Sequence, residues 1–217
     1  MEGDYFICGE KELSFLKEKD ARMKEAILRI GVIKRKVIPD LFTALVSSIT
    51  AQQISSKAHE TLWNRMLNGI GGMSAEKINS IEIEKLQSFG MSFKKAGYIK
   101  NAAAKIVSGE FDISALKNMD DEKVVETLTS LDGIGVWSAE MLMIFSMRRP
   151  NVLSFGDFAI QRGLRMIYHH RKITRALFEK YRRRFSPYCS VASLYIWAVS
   201  SGEYEGYRDF APKNVKK

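Results

Sequence analysis

Residues 128–163, LTSLDGIGVWSAEMLMIFSMRRPNVLSFGDFAIQRG, decide how the chain is to be read. Leu128–Leu131 close one helix, Asp132-Gly133-Ile134-Gly135-Val136 form a tight turn, and Trp137–Met147 make an apolar second helix. A link from Arg149 to Phe155, containing Pro150, leads to Gly156-Asp157, which opens a third helix. Glycines two residues apart let the backbone take positive φ and approach another surface closely. The second helix has no good side-chain cap, so its first N–H groups remain open to an anion. Ile134, between the glycines, can turn inward and pin the turn to a core. Such a helix-hairpin-helix would grip a nucleic-acid phosphate through backbone groups without reading bases. An ordinary helical turn with two glycines explains the same residues, and G-x-G alone does not exclude it.

Asp157 also carries two readings. Aspartate is a preferred N-cap, and a helical pattern follows directly in Phe158, Ile160, Leu164 and Ile167. It can equally be a carboxylate in a pocket, its anion favoured by the helix N-terminus. The readings are compatible, because a cap needs only one of the two oxygens. Residue type and spacing do not choose between them.

Working outward, the 217 residues suit one compact domain or two lobes sharing a core, and 46% hydrophobic content can build one. The 34 Lys and Arg against 25 Asp and Glu give a net charge of +9. That fits a polyanionic partner, and also many unspecialised basic proteins. Cys8 and Cys189 are the only cysteines and lie far apart, which argues against a disulfide framework and for an intracellular protein. No apolar run is long enough for a membrane span, and the acidic, mixed N-terminus does not resemble a secretory signal.

No strict alternation of apolar and polar residues persists anywhere, so the fold class is all-α. Residues 1–20 are mixed and assign to no element. Asp20–Arg29 reads as a helix stopped near Gly31, and Pro39-Asp40 starts another with the stripe Phe42, Leu45, Val46, Ile49. Two adjacent amides, Gln52-Gln53, interrupt that stripe before Ser55-Ser56, which can cap the next helix. Lys94-Lys95 begin a long helix ended by Gly109. Asp120-Asp121-Glu122 crowd three acids at a helix start, where dipole complementation explains them more simply than a metal does. His169-His170 are neighbours that point in different directions, without an evident third ligand. Arg182–Arg184 read as a solvated face, and the polar, basic tail from Tyr204 to Lys217 as disordered.

LDGIGVWSAEM followed by PNVLSFGD resembles the hairpin and Gly/Pro-Asp signature of the helix-hairpin-helix (HhH-GPD) DNA glycosylase superfamily. Within it, the chain is most similar to the 3-methyladenine DNA glycosylase II branch. The agreement runs from Leu41 to Trp197, through FTALVSSITAQQISSKA, LQSFGMSFKKAGYI, the hairpin and SPYCSVASLYIW. The resemblance implies a two-lobed helical catalytic core spanning residues 1–217. One lobe would cover 41–142, the other 1–40 with 150–217, with an active-site cleft between them. The β-rich N-terminal domain of bacterial relatives has no counterpart in this reading.

The resemblance also implies roles. Asp157 would be the catalytic carboxylate, stabilising an oxocarbenium-like transition state as the bond to an alkylated base breaks. Trp137 and Trp197 match pocket aromatics, each with an alternative as ordinary core tryptophan, and Met141 stands where a well-known relative has an aromatic. Gln53 falls where a side chain fills the gap left by the flipped nucleotide; one residue of slippage would give that place to Gln52 or Ile54. Gly133, Ile134, Gly135 and Val136 would meet the DNA backbone. Bifunctional branches carry a Schiff-base lysine where Trp137 stands, so the resemblance implies a monofunctional enzyme that leaves an abasic site. Family hairpins often hold Na+ or K+ on main-chain carbonyls, here those of Thr129, Leu131 and Ile134. No cofactor is otherwise required, and two cysteines exclude a four-cysteine iron–sulfur cluster. The implied partner is double-stranded DNA with damaged bases, bound by a monomer. Removal of oxidised or deaminated bases, or non-catalytic DNA binding, are the alternatives.

Overall fold

The computed structural model describes residues 4–6 and 8–212. In chain order the elements are β1 (Tyr5–Phe6), α1 (Glu10–Lys19), α2 (Ala21–Ile30), β2 (Arg35–Lys36), α3 (Leu41–Ala51) and α4 (Ser56–Ile70). There follow α5 (Ala75–Ser80), α6 (Ile83–Ser88), α7 (Phe93–Val107), a 3-10 turn (Ala115–Asn118), α8 (Asp121–Thr129) and α9 (Val136–Phe145). The last are α10 (Phe158–Tyr168), α11 (Arg175–Phe185) and α12 (Cys189–Ser201). The fold is all-α apart from β1 and β2, an antiparallel pair too short to show alternation in sequence. Among the described residues no helix is long and apolar enough to cross a membrane.

The chain divides into two compact units, 38–147 and the combination of 1–37 with 148–217. In the first unit the Ile38 N–H donates to the Phe145 carbonyl at 3.0 Å, joining its beginning to its end. Helix α3 is its centre: Leu45, Val46, Ile49 and Thr50 are buried, and α4, α7 and α9 pack on it. Several of its helices start where the sequence supplies caps. Asp40, Ser55, Ser92 and Asp120 each accept a backbone N–H of the first turn, a contribution of about 1 kcal/mol apiece.

In the second unit α10 and α12 pack closely, with α2 against both. Gly163 makes the crossing possible, since a Cβ there would strike the Ile196 carbonyl. Asp20 caps α2 through Met23 and pairs with Arg184 at 2.5 Å, so one of the three consecutive arginines holds a buried carboxylate. Residues 1–20, assigned to no element from sequence, contain α1. Residues 204–212 of the tail expected to be disordered make defined contacts. Arg165 holds Asp209 through two hydrogen bonds of 2.7 and 2.6 Å, and the Phe210 ring lies 4.6 Å from that of His169. Long-range pairing of this kind leaves no local trace in sequence. Residues 213–217, also within the tail expected to be disordered, lie outside the described residues.

Candidate active site

The turn after α8 has the shape its glycines suggest, but the two do different work. Gly133 sits at φ +82, and a Cβ there would run into the Tyr98 ring. Gly135 has ordinary extended geometry, φ −92, and its Cβ position meets nothing within 4 Å. Positive φ is thus required at Gly133, whereas Gly135 leaves room beside the backbone for another molecule. Ile134 is buried, 5% exposed, and its N–H donates to the Leu131 carbonyl at 3.1 Å, tightening the turn. Gly135 is the N-cap of α9 and offers no side chain to the first-turn N–H groups. Val136 and Trp137, the first residues of α9, are exposed. This end of a helix, without a side-chain cap and flanked by exposed apolar side chains, has the form that can take a phosphate oxygen.

Trp137 is 49% exposed, and Met141, one turn further along the same face of α9, is half-buried. An indole that open is not a core tryptophan. It presents a flat apolar surface on which a planar base can stack.

Of the adjacent amides, Gln52 turns inward: its Nε2 donates to the Gly133 carbonyl at 2.8 Å. Gln53 is exposed and has φ +56, an uncommon conformation for a residue other than glycine. Ile54 is exposed as well, 38%. Of the three residues among which sequence spacing could not choose, Gln52 is turned inward, while Gln53 and Ile54 are both exposed.

In the other unit Asp157 is the N-cap of α10 and is 7% exposed. Its Oδ1 accepts the N–H groups of Ala159 at 2.7 Å and Ile160 at 3.0 Å. Its Oδ2 accepts the indole N–H of Trp197 from α12 at 3.2 Å. The N-cap reading of Asp157 holds: capping occupies one oxygen, and the indole of Trp197 holds the other. Trp197, expected as a pocket wall, is seen here as a hydrogen-bond donor to this carboxylate. Gln161 steadies the preceding turn, its Nε2 donating to the Phe155 carbonyl at 2.7 Å. The next residue, Phe158, is 87% exposed. A phenyl ring bared to that extent beside a buried carboxylate is the feature that sequence reasoning passed over, having counted Phe158 in the apolar stripe of the helix.

The His pair behaves as a structural junction. His169 ends α10 in the left-handed conformation, and His170 Nε2 lies 2.7 Å from the Tyr181 hydroxyl. Burial lowers the His170 pKa, helped by Arg22, Lys180 and His169. Among the described residues no group of three or more His, Cys, Asp or Glu side chains could hold a metal ion. Of the carbonyls expected to carry a monovalent cation, that of Thr129 belongs to the last residue of α8, and that of Leu131, beyond the helix, accepts the Ile134 N–H at 3.1 Å.

Comparison with known proteins bears on this arrangement. The model of the HhH-GPD superfamily of base excision DNA repair proteins matches residues 46–187. A DNA-3-methyladenine glycosylase of Schizosaccharomyces pombe is 29% identical over 164 residues, which cover 73% of this chain and 72% of the relative. A crystal structure of a Bacillus halodurans DNA-3-methyladenine glycosidase is 33% identical with a TM-score of 0.82, covering 93% of this chain and 95% of that one. A Schizosaccharomyces pombe 3-methyladenine DNA glycosylase in complex with abasic DNA is 26% identical, with a TM-score of 0.76 and coverage of 88% and 97%.

Proposed function

Since this chain belongs to the HhH-GPD superfamily of base excision DNA repair proteins, we propose that it is a monofunctional DNA glycosylase for alkylated bases such as 3-methyladenine. The observation that carries the chemistry is the buried Asp157, with one oxygen fixed by two backbone N–H groups and the other aimed by Trp197. Rupture of the N-glycosidic bond places positive charge on the sugar, and a fixed carboxylate stabilises that charge without reorganising. The same carboxylate can orient or deprotonate the attacking water. The base must leave the helical stack first, and the hairpin N–H groups of Gly133–Val136 would hold the DNA backbone while Gln53 fills the gap.

Trp137 and Met141 would receive the extruded base. An alkylated purine carries positive charge, and its stacking on an indole adds a cation–π contribution of roughly 0.5–2 kcal/mol. Selection by charge and stacking suits a pocket that takes several alkylated bases. The residue at the Schiff-base position of bifunctional relatives is Trp137, which has no amine. Asp157 therefore directs water at the sugar, and the strand stays intact. Na+ or K+ on the carbonyls of Thr129, Leu131 and Ile134 would add positive charge facing the phosphate. The protein would act as a monomer on double-stranded DNA, its two lobes being the units that carry the hairpin and Asp157.

The test is release of free bases from methylated duplex DNA, followed by alkali. We expect 3-methyladenine in the supernatant and strand breaks only after alkali. Breaks without alkali would refute the monofunctional reading. No base release despite salt-sensitive DNA binding would favour a non-catalytic module.

Trp197→Phe separates the two roles of that side chain. Phenylalanine keeps an aromatic surface and loses the N–H donor to Asp157. Loss of a hydrogen bond to a charged group is worth about 1.5 kcal/mol, so kcat should fall about tenfold with KM little changed. A rise in KM at constant kcat would instead assign Trp197 to base binding alone.

A further inference from the structure

Lys94 and Lys95 occupy the first turn of α7, where the positive end of the helix dipole disfavours cations. Lys95 has a reason to be there. Its Nζ donates to the Thr50 carbonyl at 3.0 Å and to the Gln52 carbonyl, at the C-terminus of α3, where unpaired carbonyls favour a cation. Burial lowers the Lys95 pKa, so the side chain has given up water for these carbonyls. From the same turn Gln52 reaches the Gly133 carbonyl, and Tyr98, one turn along α7, lies under Gly133. Helix α7 therefore supports the Gln52–Gln53 turn and the hairpin together, and Gln53 is held at φ +56 between Gln52 and Ile54.

We propose that Lys95 is a positioning residue that fixes the turn carrying Gln53 and sets the direction in which Gln53 enters the gap in flipped DNA. This rests on the glycosylase reading. Lys95 bonds the Thr50 and Gln52 carbonyls at the base of the turn, so its effect would pass through Gln53 and be confined to substrates in which a gap must be filled. A duplex creates such a gap when the damaged nucleotide leaves, whereas single-stranded DNA does not.

The experiment compares base release from methylated duplex and methylated single-stranded DNA for wild type, Lys95→Met, Lys95→Arg, Gln53→Ala and the double variant Lys95→Met with Gln53→Ala. We expect Lys95→Met to lose about tenfold on duplex and less than about twofold on single strands, with Lys95→Arg restoring most of the duplex activity. The double variant should lose no more than Gln53→Ala alone. Equal losses on both substrates, no loss on duplex, or additive losses in the double variant would each overturn the assignment. Hydrogen exchange of the residue 52–56 amides gives a readout independent of activity. It should accelerate at least tenfold in Lys95→Met while the α10 amides stay unchanged, and unchanged exchange at 52–56 would also overturn it. Failure of wild type to release base from either substrate refutes the glycosylase reading instead, leaving the exchange result to decide whether Lys95 orders the turn.

Discussion

Asp157→Asn is expected to reduce base release by a factor of at least about 100, with no comparable loss of folding stability. The size follows from what the carboxylate does: removing one fixed stabilising group from a charged transition state costs roughly 10²–10³ in rate. Asparagine keeps an oxygen for the N–H groups of Ala159 and Ile160 and is as good an N-cap as aspartate. Its NH2 group cannot accept the Trp197 N–H, a loss of about 1.5 kcal/mol, so thermal unfolding should fall by only about 3–6 °C, and affinity for undamaged DNA should be unchanged. Single-turnover base release from methylated duplex, measured beside the melting temperature, checks the pair of outcomes. A variant that loses both activity and stability would make Asp157 a cap first, and the catalytic role would need another carboxylate. Retained activity would end the proposed mechanism.

The N-cap reading of Asp157 was available from sequence because capping is local: the acceptor and its N–H donors lie within three residues. The same locality made Ser55 and Asp120 legible as helix starts. It made Ile134 legible as the buried residue between two glycines. What stayed hidden depends on residues distant in the chain. Trp197 lies forty positions from the carboxylate it orients, and nothing in SLYIW announces an indole aimed at Asp157. Gly163 looks like a flaw in a good helix until the Ile196 carbonyl is seen against it. Helix α1 lacks a side-chain cap at Gly9 and a clear apolar stripe, burying only Leu16. Lys95 did leave a signal, two cations in the turn of a helix where acids belong, and its meaning appears only when the end of α3 is placed beside it. Resemblance to a family suggested roles for residues whose local patterns were silent, while the structure supplied their present contacts.

Gly133→Ala and Gly135→Ala should part company, although the two positions look equivalent in G-I-G. At Gly133 a methyl group meets two obstacles. The backbone has φ +82, which costs a residue with a Cβ about 1–2 kcal/mol, and the Tyr98 ring occupies the space the methyl needs. Overpacking adds about 1–3 kcal/mol, so the variant should lose roughly 2–5 kcal/mol of stability. Its hairpin should shift, release the Gln52 amide from the Gly133 carbonyl, and bind abasic-site DNA at least about tenfold more weakly. At Gly135 the backbone is ordinary and the methyl points into open space, so stability should fall by less than about 1 kcal/mol. Yet the open space is where a phosphate would approach the α9 N-terminus, and DNA affinity should still drop several-fold. Adding Tyr98→Ala to Gly133→Ala should recover the overpacking loss and leave the backbone strain. Denaturant melts and binding titrations at one fixed salt concentration measure all four proteins. If Gly135→Ala binds DNA like the wild type, the gap beside Gly135 receives nothing, and the hairpin holds its fold without holding DNA there.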